Sequence, residues 1–185
     1  MRTARRNAPV LAAILGCWLA VTLVCWIVTR AAFAASVRRL LAVHFVARLS
    51  DPAHEALWIW LRNSKMTAGV AACIALVALV RWISPAGRAG AERIPLWFAD
   101  SILGVWSLLW AALAGVALGA YGSAQLGAFL PDGPVEVTAW ALLLALYINA
   151  RRGHDEWRQT LWGLVSVEVL LALAAILEAF GGAWP

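Results

Sequence analysis

The chain has 185 residues, of which 63% are apolar and 14% charged, and its net charge is +5. Soluble domains run at ~45–50% apolar and ~25% charged, and a fold of this size has no interior large enough for the surplus. A soluble enzyme, a disordered tail and a free nucleic-acid-binding domain are therefore excluded, and the expected fold is all-α: a polytopic transmembrane helix bundle.

A helix crosses ~30 Å of hydrocarbon with ~20 apolar residues. Five spans are predicted on that basis, at 9–28, 67–83, 101–120, 137–150 and 161–180. The first follows a basic start, Arg2, Arg5 and Arg6, and could pass for a signal peptide. Its apolar run exceeds the ~7–15 residues of a signal core, so it reads as a retained anchor. Residues 31–62 read as interfacial amphipathic helices. Val37, Leu40, Leu41, His44, Phe45 and Arg48 give one basic amphipathic face. Asp51 then caps a second helix, with Pro52 in its first turn. Trp58 and Trp60 suit a headgroup-level position. The chain thus forms one integral membrane domain, with an N-terminal anchor and interfacial elbow over 1–65 and a helix bundle over 66–185.

The cations sit between the apolar runs. Arg2, Arg5 and Arg6 precede span one, Arg81, Arg88 and Arg93 lie between spans two and three, and Arg151, Arg152 and Arg158 lie between spans four and five. All three groups fall on one side of the membrane, the cytoplasmic one by the positive-inside rule, which places the N-terminus there too. This scheme puts Arg30, Arg38, Arg39, Arg48, Arg62 and Lys65 on the opposite side, against the rule: either the basic amphipathic helix is an outer-face element, or the 30–65 region makes an extra partial crossing.

Span three carries Ser107, Ala111, Gly115, Gly119 and Ser123, each four residues after the last. Small residues at this spacing let helix backbones approach closely. The ridge serves either packing inside the monomer or a homodimer seam. Asp100, just before this span, reads as its start cap.

Function concentrates in two places. Pro131-Asp132-Gly133-Pro134 breaks the chain where it re-enters the membrane, and Glu136 follows in the first turn of span four. Glu136 either caps free N–H groups or binds a cation, a proton or a partner's Arg. Glu168 lies about eight residues into span five, where an unpaired carboxylate costs ~2.5–3.5 kcal/mol. It calls for an interhelical hydrogen bond, a proton or a water-filled cleft. Glu178 reads as interfacial. Cys17, Cys25 and Cys73 form no C-x-x-C pair and read as buried spectator thiols. There is no His-Glu-x-x-His, no Gly-x-Ser-x-Gly and no P-loop. The expectation is a non-enzymatic chain with no metal, no cofactor and no nucleic-acid partner.

Pro131-Asp132-Gly133-x-x-Glu136, followed by Val137-Thr138-Ala139 and an apolar helix, resembles the Pro-His-Gly-x-x-Glu signature of the stage II sporulation protein M family. Trp60-Leu61-Arg62-Asn63, just before a span, is similar to that family's aromatic-x-x-Asn entry motif. The likeness covers about residues 52–180. Asp132 stands where the family usually has His, and Ser64 where a second Asn is common. The resemblance implies a five-span protein of the bacterial cytoplasmic (inner) membrane that works in a cell-envelope or export complex. Its implied partners, besides membrane lipid, are other envelope proteins, an ATPase subunit in trans among them. The alternative is a small permease component, like the membrane half of an ABC-type exporter, that moves a peptide or ion past Glu136 and Glu168.

Overall fold

The computed structural model describes residues 2–42, 51–83, 93–122, 131–153 and 156–181. Six α-helices follow in order: α1 (Arg2–Val28), α2 (Ala34–Ala42), α3 (Pro52–Ile83), α4 (Arg93–Tyr121), α5 (Gly133–Arg152) and α6 (Trp157–Gly181). A π-helical turn, Thr29–Phe33, joins α1 to α2 without a break. Five stretches are long and apolar enough to cross a membrane: Pro9–Leu40, Pro52–Ile83, Pro95–Tyr121, Gly133–Arg152 and Trp157–Phe180. The chain is an all-α bundle and an integral membrane protein.

The predicted interfacial helices over 31–62 are not separate elements. The stretch up to Ala42 continues α1 through the π turn. His44, Phe45 and Arg48 lie outside the described residues. From Pro52 the chain is one straight-through helix of 32 residues. Asp51 caps it as expected, its Oδ1 accepting from the Ala53 backbone N–H at 3.0 Å. No Pro or Gly follows until Gly69, so nothing interrupts the i→i−4 ladder where an elbow would have to bend. Its buried residues, Ala56, Ile59, Asn63, Thr67, Val70, Ile74 and Val77, form a single stripe at three- and four-residue steps. At 1.5 Å per residue the helix is about 48 Å long, well beyond ~30 Å of hydrocarbon. The Trp58–Trp60 region is therefore the outer part of a span rather than a helix lying flat.

Side-chain contacts fix the directions. Trp18 meets Ser107 and Thr22 meets Ala111, and Thr29 faces Gly119. Positions rise together, so α1 and α4 run parallel. Asn63 meets Glu136 and Arg81 meets Arg151, so α3 and α5 run parallel as well. Leu146 covers Gly163, which sets α6 antiparallel to α5. The five spans therefore alternate in direction, with four reversals between them. One end of the bundle gathers the start of α1, the end of α3, the start of α4, the end of α5 and the start of α6. This basic end carries Arg81, Arg151 and Arg152; Pro52, Pro131 and Gly133 mark the opposite, far end.

Helix α5 is the axis of the bundle. Within its apolar window 61% of residues are buried, against 28% or less for every other span. Ala139, Ala145 and Ala150 are fully enclosed, and such small residues let neighbours come close. The core closes on α5 with Val70, Ile74 and Val77 from α3, Leu103 from α4, and Val167 and Leu171 from α6. Trp106 of α4 sets its ring edge-on to Trp140 of α5, with centroids 5.1 Å apart. The outward faces of α1, α4 and α6 stay apolar, with Leu19, Val24, Leu109, Val165 and Val169 exposed. Lipid is the solvent that suits them. The three thiols are free, but Cys17 is exposed and Cys25 and Cys73 are only half-buried. Cys73 packs against the core and Cys25 lies against Gly115 of α4, while Cys17 turns outward, which corrects the reading of all three as buried.

Candidate functional site: an intramembrane carboxylate cluster

The two carboxylates singled out by the sequence lie at the meeting of α3, α5 and α6, toward the far end. The break at Pro131 and Asp132 ends in α5, with Pro134 in the first turn of the helix. Asp132 supplies its backbone carbonyl to the Val135 and Glu136 N–H groups, both at 3.0 Å. Its side chain makes no capping bond. It is buried at 8% exposure, and that burial pushes its carboxyl above the ordinary range. Gly133 is buried beside it, while Pro131 is exposed.

Glu136 does not cap the helix. Its carboxylate turns inward, 7% exposed, and Oε1 accepts from Asn63 Nδ2 of α3 at 3.2 Å and from Trp140 Nε1 of its own helix at 3.3 Å. The Val135 and Glu136 N–H groups already bond the Asp132 carbonyl, and Asn63 sits on the buried stripe of α3 within reach of the carboxylate. Glu168 of α6 is held in the same manner. Its Oε2 accepts from Trp60 Nε1 at 3.0 Å and from Ser64 Oγ at 2.7 Å, both from α3. Trp60 and Ser64 are four apart and share a face. The segment Trp60-Leu61-Arg62-Asn63-Ser64 therefore holds both acids at once, Glu136 through Asn63 and Glu168 through Trp60 and Ser64.

Every donor in the cluster is neutral. Arg62 stands nearby, but its guanidinium lies 5.3 Å over the Trp58 ring. Hydrogen bonds between membrane helices contribute ~0.6–2 kcal/mol each, so this set joins three helices with appreciable strength. It also leaves two carboxylates without an ion pair among the described residues.

A second polar group closes the basic end. Asp100 is not a start cap: α4 begins at Arg93, with Pro95 in its first turn, so Asp100 lies seven residues inside. Its Oδ1 accepts from Tyr147 Oη at 2.6 Å, and its Oδ2 pairs with Arg151 at 2.7 Å. Arg81 donates to the Arg151 carbonyl at 2.8 Å, next to Gly153, which ends α5 in a left-handed conformation at φ 73°. Both partners of the ion pair are about a third exposed or more, so the pair orients helix ends more than it stabilises them.

The small-residue ridge of α4 faces α1. A Cβ on Gly115 would strike the Thr22 carbonyl oxygen and come within 2.8 Å of the Cys25 Cβ; one on Gly119 would come within 2.8 Å of the Trp26 carbonyl. Thr22 Oγ1 donates to the Ala111 carbonyl at 3.0 Å. The ridge is thus filled by the same chain, and Ala111, Gly115 and Gly119 are not open to a second copy on that face. Ser123 lies outside the described residues.

Sequence reasoning named Glu136, Asn63 and Glu168 but missed their donors Trp60, Ser64 and Trp140, and missed the Asp100–Tyr147–Arg151 group. A signal was present for some of them: Trp140 follows Glu136 by four, and Ser64 follows Trp60 by four.

The fold and cluster define a class: a five-span helical membrane protein with paired, neutrally solvated carboxylates inside its bundle. No protein-family model matches the chain, and no curated protein or solved structure matches it at a significant level.

Proposed function

We propose that this protein is a non-enzymatic membrane subunit of a bacterial cell-envelope or export complex, of the kind the stage II sporulation protein M family represents. One observation carries the reading. The two motifs behind that resemblance, 73 positions apart in sequence, are side-chain partners: Asn63 Nδ2 donates to Glu136 Oε1. Such a contact is what two halves of one functional element would make. The groups around the acids are indole, amide and hydroxyl donors, which hold a carboxylate rather than attack a substrate. The basic end then faces the cytoplasm, and an ATPase in trans would dock there. The permease alternative draws on the half-exposed position of Glu168 within its span.

The test is reconstitution with the products of neighbouring genes. Co-expressed with an adjacent ATPase or peptidoglycan enzyme, the chain should co-purify with it in detergent. Glu136→Gln should insert normally but lose about tenfold in capture, a change of ~1.4 kcal/mol. Equal capture by both forms would remove Glu136 from assembly. A chain that purifies alone beside every such neighbour would overturn the complex itself.

A further inference from the structure

Three oxygen atoms at the α3–α5 contact accept no hydrogen bond. Glu136 takes both of its bonds on Oε1, and Oε2 takes none. Asn63, 7% exposed, donates through Nδ2 and leaves its amide oxygen without a donor. Thr67 is 5% exposed, and its buried hydroxyl has no hydrogen-bond partner. It is the one side-chain atom among the described residues in that condition. A helical threonine ordinarily returns its hydroxyl to the carbonyl four residues back. Thr138 does so here, donating to the Pro134 carbonyl at 2.7 Å. Thr67 does not, and it follows Asn63 by one turn on the buried stripe of α3. Its hydroxyl is therefore enclosed in the bundle, one helical turn beyond the Asn63–Glu136 contact. A buried hydroxyl left alone, one turn from two further oxygens that accept no bond, is a place a proton or an ion can fill.

The charges agree. Glu136 is surrounded on three helices by groups that do not neutralise it. Asp132 precedes it on α5, Glu178 acts on it from α6, and Arg62 of α3 is the one cation that reaches it, without an ion pair. Glu168 of α6 is engaged by Trp60 and Ser64. An ionised carboxylate buried this way is costly without a counter-charge. One unit of positive charge removes that cost. Two units would leave an excess cation in hydrocarbon, so a divalent ion does not suit a site with one enclosed carboxylate and neutral oxygens.

We propose that Glu136, Asn63 and Thr67 form a binding site for a single monovalent cation, a proton or a sodium ion. Glu136 Oε2 carries the charge, and the Asn63 amide oxygen and the Thr67 hydroxyl complete its oxygen shell. In the proton form, Oε2–H donates to one of those two oxygens, and Oε1 keeps its bonds from Asn63 and Trp140. This goes beyond the assembly reading and stands apart from it: loss of partner capture would leave the cation response intact, and the reverse.

The full chain in phosphatidylcholine nanodiscs supplies the test. Thermal unfolding is followed across a pH series, with sodium replaced by choline at constant ionic strength. In the sodium arm the wild type gains stability with added sodium at fixed pH. In the proton arm it gains stability only as pH falls in choline, and a protonated-carboxyl infrared band fades as pH rises. Measured in an Asp132→Asn background, which removes the other raised carboxyl, Glu136→Gln is flat in either arm, and Thr67→Val shifts the half-saturating sodium about tenfold, or the midpoint about one pH unit. Should Glu136→Gln fail to fold, Thr67→Val and the infrared band still decide. A wild type that responds to neither ion, or a Thr67→Val protein indistinguishable from it, overturns the proposal.

Discussion

Single side chains carry the polar organisation of this bundle, and Asp132 shows how burial turns into a measurable dependence on pH. Its carboxyl is pushed above the ordinary range because burial disfavours the charged form. The folded state then holds the proton more tightly than the unfolded chain. Asp132 imposes no cost in acid, and the cost grows as pH rises through the ordinary carboxyl range of ~4. Asp132→Asn should therefore match the wild type in acid and become the more stable of the two toward neutral pH. Unfolding midpoints of both proteins across that range check this, and a constant difference would show that the carboxyl does not titrate against folding. The residue scale is also where the sequence was most readable. Glu136, Asn63 and Glu168 stood out because polar groups in apolar runs are few and expensive. Their partners stayed hidden because an indole or a hydroxyl is unremarkable in a membrane helix, and only the fold decides which one reaches a carboxylate 104 or 108 positions away.

Among the helices, glycine does three different jobs, and substitution separates them. Gly115 and Gly119 lie against backbone of α1, which cannot yield. Gly163 lies against the side chain of Leu146, 2.6 Å from a would-be Cβ but free to change rotamer. Gly104 has open space around it. Alanine at Gly115 should cost about 1–3 kcal/mol through overpacking, alanine at Gly163 less, and alanine at Gly104 should stabilise by about 0.5–1 kcal/mol. Denaturant titration in bicelles gives the ranking, and equal effects at Gly115 and Gly104 would contradict the α1–α4 contact. The existence of the helices was legible from apolar runs alone. The continuity of α3 was not. Trp58, Trp60, Arg62 and Lys65 resemble an interfacial segment, yet long basic side chains snorkel and a tryptophan indole can equally satisfy a buried acid. The stripe from Ala56 to Val77 was present at helical spacing and records the single helix. The shortest apolar run, at 137–150, became the central helix α5. It touches protein on most sides and has less need of a lipid-facing surface, so hydropathy understated its role.

On the scale of the whole molecule, the five alternating spans separate the two ends by charge and by chemistry. A cysteine placed at Gly153 should react with an impermeant maleimide from one side of the membrane, and one placed at Pro131 from the other. Labelling of both from the same side would break the alternation of α5. The paired directions, α1 with α4 and α3 with α5, have an outcome for biosynthesis. Trp18 finds Ser107 89 positions later, and Trp60 waits 108 positions for Glu168. As the nascent chain leaves the ribosome, its early helices enter the bilayer with their indoles, hydroxyls and Asn63 still lacking mates, and the final helix, α6, brings the last acceptor. The polar contacts between helices are therefore complete only once α6 is in place, and a chain cut short before it leaves Trp60 and Ser64 without their acceptor.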